Sequence, residues 1–346
     1  MKRIMIVTSS LTGGGAERSM NLLANELLRR GWEVSLVPIN SSESDLIEPK
    51  CKVFPLNRRW PSGLFGTIKS IVAFNRILIK WNPEIVILNC ALPELFGSMM
   101  LGRQSIIVLE HAKLPWVGRE SLGRSVRRIL KLRRARWVAV SSHLKIWPSN
   151  NLPDAILQNS ISSLEIQNND IDAFSELKRL VFIGRLSSEK RPDWILEISS
   201  KSGIPAILIG DGTLRSALER KLNSSNSSVK FQGFVRNPWN WLTPGDLLIV
   251  PSEWEGDGLV IIEALRANVP MLLADIPDFR RFHFPNHNYA TDCDAFVRSI
   301  RVNAGDLNSL RVPAEIRSQI LLARTPVNVG NEWENYLQKF VEENVN

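Results

Sequence analysis

Short apolar runs alternate with longer stretches of helical period along most of the chain. "RIMIVTS", "EVSLVPI", "EIVILNC", "SIIVLEH" and "RWVAVSS" are β-rich and apolar throughout, the pattern of strands buried on both faces of a parallel sheet. Between the first two, Glu17 to Arg30 places apolar residues at Met20, Leu23, Leu27 and Leu28 and stops at Gly31, which predicts an amphipathic helix. After Ser160 the pattern lapses. "SSLEIQNNDIDAFSELK" is polar and aperiodic and reads as a linker. The alternation resumes with "RLVFIGR", "PAILIGD", "VKFQGF", "DLLIVPS" and "PMLLADI". Two α/β domains in tandem, each with a mostly parallel sheet, are therefore expected. The division falls at residues 1–165 and 166–331. The Ser/Asn cluster from Asn223 to Ser228 reads as a surface loop.

The chain has 346 residues, too many for one ordinary core and suited to two domains of about 150 residues each. No apolar run reaches the roughly 20 residues of a membrane span. The opening "MKRIMIVTSSLTGGG" breaks into Ser, Thr and Gly where a signal peptide would continue apolar, so it reads as a first strand. Cys51, Cys90 and Cys293 are odd in number and widely spaced, against a disulfide framework or a zinc site and for a reducing, cytoplasmic setting.

Net charge is +8, which points to an anionic partner such as nucleic acid, a phospholipid surface or a phosphorylated substrate. From Arg119 to Arg136 there are eight Lys/Arg and one acid, Glu120, with Leu122, Val126, Ile129 and Leu130 at helical spacing. That is a basic amphipathic helix. "RRWPSGLFG", Arg58 to Gly66, adds Trp60, Leu64 and Phe65 beside two arginines. Together they suggest a peripheral site on an anionic membrane; a solvated face is the plainer alternative. No nucleic-acid motif accompanies the basic run, and no nucleic-acid partner is expected.

Open parallel sheets bind ligands beyond the carboxyl ends of their strands. There the sequence places Gly13-Gly14-Gly15, Cys90 and Glu110-His111 in the first half. In the second it places Arg185 to Lys190, Gly210-Asp211-Gly212, and "SEWEGDGLVIIEAL". In the last segment a strand ends at Ser252, a loop carries Glu255, Gly256, Asp257 and Gly258, and a helix begins near Leu259 with Glu263 in its second turn. A helix N-terminus receives phosphate, and glycines admit a ligand close to the backbone. Two acids flanking an anion site would repel the anion itself, so their targets are neutral hydroxyls on either side of it. A diphosphate with polyols at both ends is a nucleotide sugar. Arg185 and Lys190 supply the neutralising donors.

At these residues the chain closely resembles the retaining glycosyltransferases of family 4, whose GT-B fold has two facing Rossmann-like domains and an interdomain cleft. "GGGAERSMNLLANELLRRG", "VFIGRLSSEKRPDWIL", "IGDGTLRSALE", "FQGFVRNPWNWL" and "DLLIVPSEWEGDGLVIIEAL" follow the family's order, and Glu255 with Glu263 match its E-x7-E signature. The resemblance implies that Glu255 contacts the transferred sugar and Glu263 the ribose. Arg185 and Lys190 would hold the diphosphate, and His111 would lie near the sugar. Gly14, Gly15, Gly184, Gly210, Gly212, Gly258, Leu259 and Val260 would approach the donor. It also implies no cofactor and no bound metal, in keeping with the lack of a DxD-type pair at a strand end. A final helix at about 332–346 would pack back on the first, acceptor-side domain; the second would bind the donor.

The implied reaction moves a hexose or related sugar from a nucleotide diphosphate to a glycan or lipid-linked acceptor, in surface polysaccharide or lipopolysaccharide synthesis. A nucleotide-sugar 2-epimerase on the same fold, or an inactive nucleotide-sugar-binding protein, are the alternatives. Departures are Asp257, where relatives often have an apolar or aromatic residue, and "ANVPMLLADIPDFRRF", which lacks the family's Gly-x-Pro-Val-Val and later Gly-Gly-x-x-Glu patterns. Taken singly, Glu255 and Glu263 are explained as ordinary helix acids. His143 reads as a helix-start residue, and Trp239 and Trp241 as packing groups.

Overall fold

The computed structural model describes residues 2–11, 14–40, 49–58, 63–161, 176–223 and 228–345. The expected linker lies almost wholly outside these residues, as do Gly13, Arg59, Trp60 and most of the Ser/Asn cluster. The chain divides into two compact units, Met1–Ser162 with Arg324–Asn346, and Ser163–Ala323.

The first unit runs β1 (Arg3–Thr8), α1 (Gly15–Arg29), β2 (Glu33–Pro38), β3 (Lys52–Val53), α2 (Gly63–Trp81), β4 (Ile85–Asn89), α3 (Ala91–Ser98), β5 (Ser105–Glu110), α4 (Glu120–Leu132), β6 (Arg136–Ala139) and β7 (Ala155–Ile156). All seven strands are parallel, in the order β3-β2-β1-β4-β5-β6-β7. Strand side chains alternate between faces, so Ile4 and Ile6 join one core and Met5 and Val7 the other. The first core is closed by Met20, Leu23 and Leu27 of α1, while Leu28 stands exposed. On the second face lie α2, α3 and α4, through Phe74, Phe96 and Val126.

The second unit runs β8 (Arg179–Ile183), α5 (Asp193–Ser202), β9 (Ala206–Ile209), α6 (Arg215–Asn223), β10 (Val229–Gly233), β11 (Asp246–Val250), α7 (Leu259–Arg266), β12 (Met271–Ala274), α8 (Pro277–Arg280), β13 (Tyr289–Ala290), α9 (Cys293–Asn303) and α10 (Ala314–Ala323). Its six strands are parallel in the order β10-β9-β8-β11-β12-β13. The chain then returns to the first unit as α11 (Pro326–Val345). Val329, Trp333, Leu337 and Phe340 of α11 complete the core beneath α1, and Arg30 reaches Glu334 at 2.7 Å.

Both sheets share one arrangement, in which the first three strands run outward one way and the fourth starts on the other side of the first. That is the dinucleotide-fold order, with its switch point between β1 and β4 in one unit and between β8 and β11 in the other. The loops leaving β8 and β11 are thereby brought side by side. His143 departs from expectation: it lies in a turn, its Nδ1 2.7 Å from Ser141 Oγ, and starts no helix.

Candidate active site

The loops after β8 and β11 are joined by several bonds. Glu253 N–H donates to the Glu189 carbonyl at 2.8 Å, and Arg191 pairs with the Glu253 carboxylate at 3.3 Å. Lys190 ends a short 3-10 turn, Ser188–Lys190, and its Nζ donates to Glu255 Oε1. Ser252 Oγ donates to the same oxygen at 3.2 Å. Glu255 is buried, and its charge is met by a cation and a hydroxyl, the condition under which a buried carboxylate is tolerated. The switch point has thus brought Lys190 and Glu255, 65 residues apart, into contact.

The segment after β12, which departs from the family pattern, braces this loop. Asp278 in α8 is buried, and its Oδ2 accepts the Glu255 N–H at 2.8 Å. Arg281 Nη2 donates to Asp257 Oδ1 at 3.1 Å and to the Asp257 carbonyl at 2.5 Å. Its Nε donates to the Asp278 carbonyl at 2.9 Å, and the guanidinium lies 4.4 Å from the Phe282 ring centroid. Asp257, itself buried, is therefore one half of a part-buried ion pair. Sequence reasoning missed Asp278 and Arg281. The rule that flagged the other strand ends, applied after β12, would have found them.

Gly258 caps α7 with φ 64° and ψ 41°, a left-handed conformation costly for any residue with a Cβ. Leu259 and Val260 open the helix, where backbone N–H groups lack intrahelical partners and receive anions. Glu263 Oε2 accepts from Trp239 Nε1 at 3.0 Å. Trp239 is 2% exposed in a 3-10 turn, Pro238–Trp241, so it packs as expected and also fixes a site carboxylate. Trp241, expected to pack, is exposed.

Arg185 is exposed, one residue past Gly184, whose N–H donates to the Ile209 carbonyl at 3.0 Å. A Cβ on Gly210 would meet the Gly184 carbonyl oxygen at 1.9 Å, and one on Gly212 the Leu186 oxygen at 2.4 Å. Close approach of the two strand-end loops is enough to require glycine at both positions, apart from any ligand.

In the first unit, Gly14 is the N-cap of α1 and Gly15 its first residue; His111 directly follows β5 and is partly buried. Beneath His111 lies a buried ionic cluster. Arg127 of α4 holds Glu94 of α3 at 2.6 Å and Glu110 of β5 at 2.6 Å, and donates to the Trp147 carbonyl at 2.5 Å. Trp116 Nε1 donates to Glu94 at 2.9 Å. Burial pushes the Glu110 carboxyl up to about 7, because one guanidinium cannot offset two carboxylates out of water. The expected basic face thus loses Arg127, a 3% exposed interior group. Leu122 and Ile129, read as its apolar side, are exposed, and Val126 and Leu130 alone of that set are buried. The sequence hid this because a basic residue at helical spacing carries no mark of burial.

Two parallel-sheet units of dinucleotide-fold strand order define a doubly wound α/β protein, the second with cations, acids and a helix N-terminus at its switch point. Residues 13–161 match the family described as Glycosyltransferase Family 4, and residues 177–301 match Glycosyl transferases group 1. The chain belongs to the family 4, group 1 glycosyltransferases, retaining enzymes of the GT-B fold. An uncharacterised glycosyltransferase of Methanocaldococcus jannaschii is 29% identical over 153 residues, 42% of this chain and 37% of that protein, so the match spans under half of that relative. A GalNAc-alpha-(1->4)-GalNAc-alpha-(1->3)-diNAcBac-PP-undecaprenol alpha-1,4-N-acetyl-D-galactosaminyltransferase of Campylobacter jejuni is 24% identical over 278 residues, 77% of each chain. The structure of Anabaena Alr3699/HepE in complex with UDP and glucose superposes with a TM-score of 0.74 at 15% identity, over 98% of this chain and 100% of that one. No helix among the described residues is long and apolar enough to cross a membrane.

Proposed function

We propose that this glycosyltransferase binds a nucleotide-diphosphate sugar at the β8/β11 switch point and passes the sugar, with retention, to a lipid-linked or glycan acceptor in surface polysaccharide or lipopolysaccharide synthesis. The observation that carries the reading is the contact of Lys190 with Glu255 at the carboxyl ends of adjacent strands, directly before the N-terminus of α7. Lys190 and Arg185 neutralise the diphosphate, and the amides of Gly258, Leu259 and Val260 donate to it. These fixed donors act most strongly as charge builds on the leaving phosphate. Glu255 accepts from the sugar hydroxyls and Glu263 from the ribose. As the anomeric C–O bond breaks, a leaving phosphate oxygen takes the proton of the acceptor hydroxyl, whose oxygen bonds to the same face of the sugar. Met1–Ser162 with Arg324–Asn346 is the acceptor-side unit, in which Gly14 and Gly15 serve the diphosphate and acceptor and His111 the sugar, and Ser163–Ala323 is the donor unit.

The Anabaena relative's UDP and glucose make UDP-hexoses the first donors to try, and the Campylobacter relative's diphospho-undecaprenol-linked glycan sets the acceptor class. A lipid-linked acceptor would put the enzyme at a bilayer surface. Nucleotide release from a panel of sugar donors, with and without such an acceptor, tests the reading. Acceptor-dependent release is the expected outcome. Interconversion of the donor sugar, or binding without release, contradicts it.

A further inference from the structure

The loop that opens α7 is clamped through its backbone by side chains from the segment after β12. The Glu255 N–H donates to Asp278 Oδ2, and the Asp257 carbonyl accepts from Arg281 Nη2. A trans peptide holds its C=O and N–H antiparallel in one plane. Arg281 therefore sets the direction of the Gly258 N–H, the first of the amides assigned to the diphosphate. Asp278 fixes the Trp254–Glu255 peptide in the same way, at the residue whose carboxylate meets Lys190 and Ser252.

The clamps support each other and are anchored in the sheet. Asp278 is 2% exposed, and its own carbonyl accepts from Arg281 Nε at 2.9 Å. The Arg281 and Asp257 side chains are 17% and 4% exposed, so their pair is drier than a surface ion pair and holds its geometry better. Beyond Arg281 three rings follow in series. Its guanidinium lies over Phe282, which stacks on Phe284 at 5.4 Å and 14°, and Phe284 stacks on Tyr289 at 6.5 Å and 23°. Tyr289 Oη donates to the Phe279 carbonyl at 3.1 Å and accepts the Phe284 N–H at 3.3 Å, and Tyr289 itself pairs with Leu273 of β12. A Cβ built on Gly258 would lie 3.6 Å from the Phe282 ring, so the ring also backs the turn into α7. Arg280, one residue earlier, turns instead to Asp275 and Asn286, each at 2.6 Å.

We propose that Arg281 and Asp278 are positioning residues for sugar transfer: Arg281 aims the Gly258 amide at the diphosphate, and Asp278 sets Glu255 against the transferred sugar. The inference rests on the proposed donor site and divides it, since the two clamps serve different parts of one ligand.

Amide hydrogen exchange on the free chain is the first test, because it needs no substrate. Asp278→Ala and Arg281→Met should each speed exchange over residues 253–260 and leave β8, β9 and β11 as in the parent. Steady-state kinetics then use the donor that the parent turns over in the panel, and calorimetry uses its nucleoside diphosphate, UDP for a UDP-sugar. Arg281→Met should lower kcat on the order of 10²-fold and weaken diphosphate binding with it. Asp278→Ala should also lower kcat but bind the diphosphate like the parent, because that ligand has no sugar for Glu255 to meet. Asp278→Asn keeps an acceptor for the Glu255 N–H and should recover most of the loss. Arg280→Met should match the parent throughout. Exchange that is unchanged, or that speeds everywhere, in either clamp variant overturns the proposal. So does an unchanged kcat in either, equal loss of diphosphate affinity in both, no recovery in Asp278→Asn, or the same loss in Arg280→Met. A parent chain that turns over no donor removes the donor site and this inference with it; an active parent matched by its variants removes this inference alone.

Discussion

A carboxylate that grips a ligand hydroxyl must first be held still. Glu263 is held by the Trp239 indole at 3.0 Å, and Glu255 by Lys190, Ser252 and, through its own N–H, Asp278. Trp239→Phe keeps an aromatic side chain, though a smaller one, and removes the donor. It is expected to raise the KM for the nucleotide sugar about tenfold with a smaller change in kcat, as for a lost hydrogen bond to a charged group. Equal parameters in steady-state kinetics would remove Trp239 as a positioning residue. Lys190→Ala is expected to lower turnover on the order of 10²–10³-fold, the size of losing one key electrostatic donor. Near-normal turnover would contradict its role. Glu255, Glu263 and Lys190 were legible because their residue types and strand-end positions carry the signal. Trp239, Asp278 and Arg281 were not, since their part depends on which loops the sheet order makes neighbours.

The elements α3, β5 and α4 are pinned by one buried ionic cluster. Two carboxylates share one guanidinium, and the folded state raises Glu110 from its ordinary 4.5 to about 7. Folding therefore favours the protonated form. The contribution is fully present below pH 4.5 and is lost as pH rises toward 7, because the unfolded chain gives up the proton earlier. Unfolding free energies from denaturant titrations between pH 5 and pH 8 should fall as pH rises, by up to about 1.4 kcal/mol per pH unit. Glu110→Gln should flatten that dependence; an unchanged slope would assign it elsewhere. Arg127→Leu is expected to cost about 3–5 kcal/mol by leaving the carboxylates unpaired, whereas the exposed Arg128→Leu should be nearly neutral in the same assay. The long central strands were plain in the sequence because they are buried on both faces. The two-residue strands β3, β7 and β13 were not, and α2 was hidden by its exposed apolar side chains, which blur the helical period.

At the scale of the molecule, one chain builds the same strand order twice and closes the first unit with a helix drawn from its far end. Each sheet opens its strand-end loops at a switch point, yet the two sites differ in kind. The second gathers cations, acids and a helix N-terminus; the first offers Gly14 and Gly15 at the start of α1, and His111 next to Glu110 of a buried cluster. The net charge of +8 pointed to an anionic partner from the outset. The structure takes Arg127 out of that surface charge by burying it in the first unit. A structure of the chain with UDP tests the central claim most directly. The account predicts the diphosphate between Lys190 and the first amides of α7, with Glu263 on the ribose. A nucleotide lodged anywhere else, with those side chains untouched, would contradict it.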